Sequence, residues 1–237
     1  MNLLYKREYP INDKIKVIIP TVGEIIDNED DYYDIVTVLT GMPIDFMVQL
    51  DDIGIDFSQI NEYDLFLLFF GALKNKDTHL VFGDLDLSKF ELATNQQNGM
   101  TVLVDWENDI VIDKAIHDKF ANALRTIHHY KKDTRKPANK EAKEYMIERA
   151  RKKLKRLKRK NASNISPLER KIIAMVNTTE YKYNFEGTRE LSIYQFNESV
   201  NQVIRKNEHD NAMYGVYMGT LKISDIPKEV ADWISNN

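Results

Sequence analysis

The chain of 237 residues contains no cysteine, which excludes disulfides, thiol nucleophiles and zinc or iron–sulfur sites with cysteine ligands. Glycine is scarce, at nine residues, and no glycine-rich phosphate-binding loop, Gly-x-Ser-x-Gly elbow or His-Glu-x-x-His pair occurs. The longest apolar run, residues 65–73, is too short to span a bilayer, and residues 1–10 carry charges where a signal peptide needs an apolar segment. These absences favour an intracellular protein that is not an enzyme.

The charges are distributed unevenly along the chain. Hydrophobic residues at 43% and charged residues at 30% are typical of a soluble globular protein, and the net charge is only −4. Residues 1–130, however, hold 10 Lys and Arg against 23 Asp and Glu, whereas residues 131–160 hold 15 against 4. An acidic body with one concentrated basic segment indicates a charged partner or a charged contact within the protein.

The hydrophobic periodicity predicts an α+β fold that is mainly helical, with a small N-terminal antiparallel sheet and an all-helical C-terminal part. Residues 3–10 and 14–19 are predicted to form a strand pair. A second hairpin of residues 90–93 and 100–104 encloses the turn sequence of residues 95–99, which ends in Asn-Gly. Helices are expected from residue 21 and at 29–40, 43–54, 62–73, 114–130, 140–160, 167–177, 193–206 and 208–218, with a last one after Asp225.

Polar residues before several of these segments predict where the helices begin. Gly41 is expected to end the second helix in a left-handed conformation. The predicted N-terminal caps are Thr21, Asn61, Asp113, Asn139, Ser166 and Ser192.

A polar stretch containing Pro137 predicts a domain boundary. The sequence therefore predicts an N-terminal α+β domain of residues 1–130, a linker of residues 131–139 and a helical C-terminal domain of residues 140–237. The first helix of the C-terminal domain is the basic one.

The basic helix is the best candidate for a binding surface. Nine of its last twelve residues are cationic, and Ile147, Ala150, Leu154 and Leu157 form a narrow apolar stripe along it. Such a helix can be a solvated surface, a ligand for nucleic-acid phosphates or a docking site for an acidic protein. The stripe and the lack of interleaved aromatic residues favour a protein partner. The predicted partner-binding residues are Arg149, Arg151, Lys152, Lys153, Leu154, Lys155, Arg156, Leu157, Lys158 and Arg159.

Metal and cofactor sites are not predicted. The best acidic cluster comprises Asp105, Glu107, Asp109 and Asp113, but a calcium loop would need Gly and Glu where the chain has Ile110 and Ile116. A turn with solvated carboxylates and a helix cap accounts for these residues better. The histidines are interpreted as structural or surface residues; they are His79, His117, His128, His129 and His209.

Five segments of the chain resemble an uncharacterised family from phages and prophages of Gram-positive bacteria that is associated with tail-morphogenesis genes. They are YPIN at 9–12, IPTVGEI at 19–25, FMVQLDDIG at 46–54, VFGDLD at 81–86 and IYQFN at 193–197. The resemblance implies a non-enzymatic accessory protein in the cytoplasm of the infected host. The role it favours is that of a tail assembly chaperone, which keeps the tape-measure protein soluble.

Two alternatives remain open at this point. One is a structural component of the tail or baseplate, and the other is a nucleic-acid-binding module that uses residues 140–160. The expected partners are phage proteins, among them tape-measure or tail proteins, together with possible self-association. Nucleic acid is the less favoured partner, and no membrane partner is expected.

Overall fold

A computed structural model describes residues 2–96, 99–160 and 165–234, with side chains in the second range described through Leu157. The fold is α+β and 57% helical, as the sequence predicts. The helices are α1 (Val22–Ile26), α2 (Glu29–Thr40), α3 (Met47–Asp52), α4 (Glu62–Leu73), α5 (His79–Phe82), α6 (Lys114–His128), α7 (Lys140–Lys160), α8 (Pro167–Val176), α9 (Phe185–Glu190), α10 (Ile193–Tyr217) and α11 (Lys228–Ala231). Single 3-10 turns occupy Pro43–Phe46, Leu87–Lys89 and Ile223–Asp225.

Two small antiparallel sheets form the β part. Strands β1 (Glu8–Pro10) and β2 (Lys16–Ile18) pair with each other, which confirms the predicted strand pair over a shorter length. Strands β3 (Glu91–Thr94) and β4 (Thr101–Asp105) form the predicted hairpin, and β5 (Ile110–Ile112) adds a third strand beside β4. Residues 97 and 98 of the hairpin turn lie outside the described residues. The hydroxyl of Tyr63 on α4 lies 3.0 Å from the backbone carbonyl oxygens of both Thr101 and Ile112 and shares its one proton between them, which attaches this sheet to the helices.

The capping residues define the helix starts as the sequence predicts. Thr21, Asn61 and Ser192 each form a reciprocal capping box, and Asp113 accepts a hydrogen bond from the backbone of Ile116. Each cap satisfies backbone N–H groups that have no partner within the helix. Ser166 also caps its helix, but its hydroxyl donates to Glu29 Oε2 at 2.6 Å, so that α8 is tied to α2.

Several helices differ from those that the sequence predicts. Residues 193–217 form one continuous helix rather than two, and an ion pair between Lys206 and Asp210 spans the predicted break. A short polar sequence is weak evidence for a break here, because no Gly or Pro lies between Lys206 and Asp210. The short helices α5 and α9 were not expected, since neither is long enough to show a helical period.

Gly41 ends α2 as predicted, but the expected left-handed conformation is wrong. Its φ is −65° and its ψ is 142°, which is extended backbone. A Cβ atom here would lie 2.3 Å from Cε2 of Phe46 and 2.7 Å from the carbonyl oxygen of Thr37. Glycine is therefore required for the close approach of Phe46 rather than for its backbone angles.

The main hydrophobic core includes residues from both predicted domains. Ile19 and Val22 near the N-terminus belong to the same buried cluster as Leu168, Ile193 and Phe196. The two-domain division at residues 131–139 stays a prediction, but the two parts share one core.

Backbone hydrogen bonds join the same two parts. The N–H of Val22 donates to the carbonyl of Leu191 at 2.8 Å, and the N–H of Ile193 donates to the carbonyl of Pro20 at 2.8 Å. When the two parts separate, these hydrogen bonds are replaced by hydrogen bonds to water. They therefore act together with the surrounding apolar contacts in holding the two parts together.

A buried ion network joins α2, α4 and α6. The Arg125 guanidinium on α6 donates to Glu62 Oε2 at 2.8 Å and to the carbonyl of Thr40 at the end of α2. Lys132 contacts the other carboxylate oxygen of Glu62 at 2.7 Å. Because Arg125 and Glu62 are only 6% and 12% exposed, loss of either charge would leave the other poorly solvated.

Replacing Arg125 with Met is expected to lower the free energy of unfolding by about 3–5 kcal/mol, because Glu62 and the Thr40 carbonyl lose a buried donor. The control is Arg7→Met, which removes an exposed ion pair with Glu24 and should cost less than about 1 kcal/mol. Urea unfolding followed by circular dichroism measures both. Equal losses in the two variants would contradict the structural role of the network.

Cleavage between the predicted domains is expected to leave the two fragments bound to each other, because they share a core. A specific protease site inserted after Ala138, which is exposed, allows this cut in the folded protein. Size-exclusion chromatography should show the fragments eluting together in buffer and separately in denaturant. Separate elution in buffer would instead support two independent domains.

Candidate protein-binding groove

The basic helix α7 lies across α3 and is held there by a second, smaller core. This core consists of buried side chains from five parts of the chain, namely Ile44, Leu50, Phe57, Leu65 and Ile147. Met146 adds a partly buried side chain to it. The N-terminal half of α7 is therefore fixed to the acidic body by apolar packing.

Ion pairs reinforce this contact. Lys143 donates to Asp56 at 2.6 Å, and Arg151 contacts both Asp51 and Asp52 at the end of α3. Hydrogen bonds from Lys143 and from Ser58 lower the pKa of Asp56 to about 2. The acidic body thus provides part of the counter-charge for α7, which was one of the possibilities raised by the charge distribution.

The apolar stripe on α7 is only partly packed. Ile147 is 9% exposed and Ala150 is half-buried, whereas Leu154 and Leu157 are 38% and 44% exposed. A continuous apolar stripe predicts a packed face along its whole length, but Leu154 and Leu157 are left largely uncovered by the described residues. The stripe therefore continues beyond the second core as an open apolar surface.

A groove of about 770 Å³ follows this open part of the stripe. One wall is α7, and the other is formed by the 3-10 turn and the start of α3. Apolar side chains make its floor: Ile44, Met47, Val48, Met146, Ala150, Leu154 and Leu157. Asp133 and Arg135 from the segment before α7 lie at one end.

The rim of the groove on the α7 side is cationic. Arg149, Lys153 and Arg156 line it and form no ion pair with any residue in the described ranges. Lys152 also lines it and contacts Glu148 at 2.6 Å on its own helix. Lys155 is exposed on α7 but does not line the groove, while the side chains of Lys158 and Arg159 lie outside the described residues.

The two acidic residues of the groove are occupied by neighbours. Asp45 accepts a hydrogen bond from the backbone of Met42 at 2.9 Å, and Asp133 is paired with Arg135. Hydrogen bonds from Arg135 lower the pKa of Asp133. The cations of α7 therefore dominate the potential along the groove.

The second wall was missed by sequence reasoning. Ile44, Met47 and Val48 follow Pro43 in a segment that the sequence assigned only to a helix, about one hundred residues before α7. The Met-Pro-Ile-Asp-Phe-Met-Val run is more apolar than a short surface helix requires, and this excess was the available signal.

The histidines lie apart from this groove, and two of them are deeply buried. The Tyr32 hydroxyl and His128 Nε2 are 2.8 Å apart, and burial lowers the His128 pKa to about 3. His117 packs against Phe66 and Phe120, and burial lowers its pKa to about 4. Both imidazoles are therefore neutral near pH 7.

The three other histidines occupy separate places. His79 and His209 each hydrogen bond to a backbone carbonyl, and His129 stacks on Tyr194. Within the described ranges, no three His, Asp or Glu side chains are grouped so that they could hold a metal ion.

The acidic cluster forms a turn and a helix cap. Asp105 accepts hydrogen bonds from the backbone of Glu107 and Asn108 and from the Asn108 side chain, which closes the turn between β4 and β5. Asp113 caps α6. Glu107 contacts Lys89, and Asp109 contacts Lys14.

Comparisons of the chain with protein-family models, with curated proteins and with solved structures give no match. In the part of the chain that the structure describes, no helix combines the length and apolar character needed to cross a membrane.

The two ends of the apolar stripe are expected to respond differently to a charge. Ile147→Asp should lower the free energy of unfolding by about 2–5 kcal/mol, because it places a carboxylate in the second core. Leu154→Asp should change it by no more than about 0.5 kcal/mol, because the side chain is open to solvent. Thermal unfolding of both variants tests this, and a large loss for Leu154→Asp would show that the face is covered.

Proposed function

We propose that the protein is a non-enzymatic binding protein whose groove between α3 and α7 takes an amphipathic, acidic helix of another protein. The observation that carries the proposal is the combination of an apolar floor with three cations that have no ion-pair partner within the described residues. A helix with apolar residues on one face and carboxylates on its flank satisfies both parts of the groove.

The apolar floor provides the binding energy in this proposal. Leu154 and Leu157 continue a stripe whose first residues already pack against α3, so an incoming helix extends an existing contact. Burying apolar surface stabilises a complex by about 25 cal/mol per Å² before the costs of association. The floor therefore accounts for affinity, while the rim accounts for the choice of partner.

The cationic rim selects the sign of the partner's charge. Arg149, Lys153 and Arg156 lie at spacings of four and three residues, so they follow one face of α7. A basic helix placed in the groove would meet these like charges, which disfavours it. The partner is accordingly acidic along the side that faces α7.

Nucleic acid is a poorer match to the same surface. Among the described residues that line the groove none is aromatic, so bases have no stacking platform. Phosphates would engage the rim but leave Leu154 and Leu157 in water. This favours the protein partner over the nucleic-acid module.

The resemblance to a phage family with tail-morphogenesis associations gives the partner a biological class. We infer that it is a phage tail protein, and a tail assembly chaperone acting on the tape-measure protein is the role that fits best. A client rich in amphipathic helices offers the kind of segment that the groove accepts. A permanent tail or baseplate component is the alternative, and mass spectrometry of purified virions separates the two because a chaperone is absent from them.

Reversal of the rim charges is expected to weaken binding of an acidic amphipathic peptide by at least about tenfold, or about 1.4 kcal/mol. The test variant carries Arg149→Glu, Lys153→Glu and Arg156→Glu. The probe is a labelled 20-residue peptide designed as an acidic amphipathic helix, a length of about 30 Å. Fluorescence anisotropy measures its affinity for the wild type and the variant.

The matched control reverses three exposed lysines away from the groove, Lys6, Lys119 and Lys182, and should keep the wild-type affinity. Duplex DNA serves as a second probe at the same salt concentration. Equal loss in both triple variants, or tighter binding of DNA than of the peptide, would contradict the proposal. Co-purification with the tape-measure protein of the same phage then tests the biological class.

A further inference from the structure

The last third of α10 presents an apolar surface that is separate from the groove. Phe196 is buried in the main core, and Val200 and Val203 pack against it. Tyr214 and Tyr217 lie on the same face further along the helix, and Leu221 follows just after the helix ends; all three side chains are exposed. The face of α10 that packs against the body near Phe196 therefore carries apolar side chains at its far end as well. There, the described residues of this chain leave them largely exposed.

Backbone hydrogen bonds define the end of α10. Gly219 has a φ of 69°, the left-handed conformation that closes a helix, and the N–H groups of Thr220 and Leu221 donate to the carbonyl of Gly215. The chain then returns along α10 through α11, where His209 Nδ1 lies 2.9 Å from the carbonyl of Val230. The exposed surface is a defined helical hairpin rather than a fraying end.

The exposed side chains at this tip are large. Tyr214 is 66% exposed, Tyr217 80%, Met218 62% and Ile223 67%. Tyrosine and methionine are enriched at protein interfaces, and a contiguous patch of such side chains is uncommon on a monomer surface. We call this surface the α10 tip, defined by Tyr214, Tyr217, Met218, Leu221 and Ile223.

The charge pattern favours a second copy of this chain as the partner. Residues 211–221 contain no charged residue, although 30% of the chain is charged and residues 1–130 are strongly acidic. The acidic surfaces formed by residues 1–130 of two copies repel each other, whereas two α10 tips can meet without facing like charges. A strongly charged partner would find no opposite charge on this surface, whereas the groove offers cations to an acidic partner.

The flanks of the tip are self-complementary. Lys206 and Asp210 lie on its body side, and Lys222 and Asp225 lie beyond it. In a two-fold pair whose axis is perpendicular to the helices, the helices run antiparallel, and each flank of one copy then faces residues of both signs in the other. We propose that two copies associate through the α10 tips, with the tyrosines and Met218 at the centre of a symmetric interface.

The tip supplies a substantial part of the surface that a dimer needs. A standard interface takes about 800 Å² from each partner, and a buried aromatic side chain contributes about 150–250 Å². The two largely exposed tyrosines therefore provide roughly a quarter to a half of that area, with Met218, Leu221 and Ile223 adding to it.

Sedimentation velocity of the full chain tests the proposal directly. The weakest complexes with an interface of standard size have a Kd of about 1 µM. At about 100 µM, well above that value, the wild type should sediment as a dimer. Tyr217→Lys should weaken association at least tenfold because two like charges meet on the symmetry axis. Tyr5→Lys, which changes an 84% exposed tyrosine outside the tip, should remain dimeric.

Cysteine crosslinking locates the contact, since the chain has no native cysteine. Single variants at Tyr214, Tyr217 and Met218 should form disulfide-linked dimers under mild oxidation when their Cα atoms come within about 7 Å across the axis. Tyr5→Cys should stay monomeric on a denaturing gel. A monomeric wild type, equal dissociation of the two lysine variants, or crosslinking no stronger than that of Tyr5→Cys would each overturn the proposal.

Discussion

The buried pairing of Arg125 with Glu62 determines how the helical parts of this chain are arranged. It joins α6 to α4, and through the Thr40 carbonyl it also holds the end of α2. Lys132 reaches the same carboxylate from the first residues after α6. Lys132 begins the segment that leads to α7, and the second core with its ion pairs then holds α7 across α3.

The acidic body and the basic helix, which are separate in the sequence, pair their charges only in part. The acidic body neutralises the beginning of α7 through Asp56, Asp51 and Asp52, and the apolar contact ends in the same region. Beyond it both the cations and the leucines of α7 face outward together. A helix that was merely a solvated surface would not need its leucines on the cationic side. The coincidence of the two patterns is the physical basis for treating this half of α7 as a binding surface.

Local signals in the sequence predicted most of the fold. The features that they did not predict depend on contacts between residues far apart in the sequence. Helices α4 and α6 begin where caps and periodicity place them, since a capping hydrogen bond involves residues two or three positions apart. How far the α7 stripe is buried depends on Leu50 and Phe57, which lie about a hundred residues away. Gly41 was predicted correctly as an end but for the wrong reason, because its constraint comes from Phe46. The basic wall of the groove was found from composition, whereas its apolar wall required the fold.

The shared core has a consequence for how the chain reaches its native state. Val22 forms its backbone hydrogen bond with Leu191, and Thr21 pairs with Ser192, so the first helix is completed by residues about 170 positions later. At translation rates of about 5–20 residues per second, the N-terminal segment waits roughly 10–30 s for these partners. During that time Val22 and Ile25 lack the C-terminal half of their core. Contacts of such high sequence separation slow folding, so this acidic N-terminal half depends on its charge to stay soluble while it is being made.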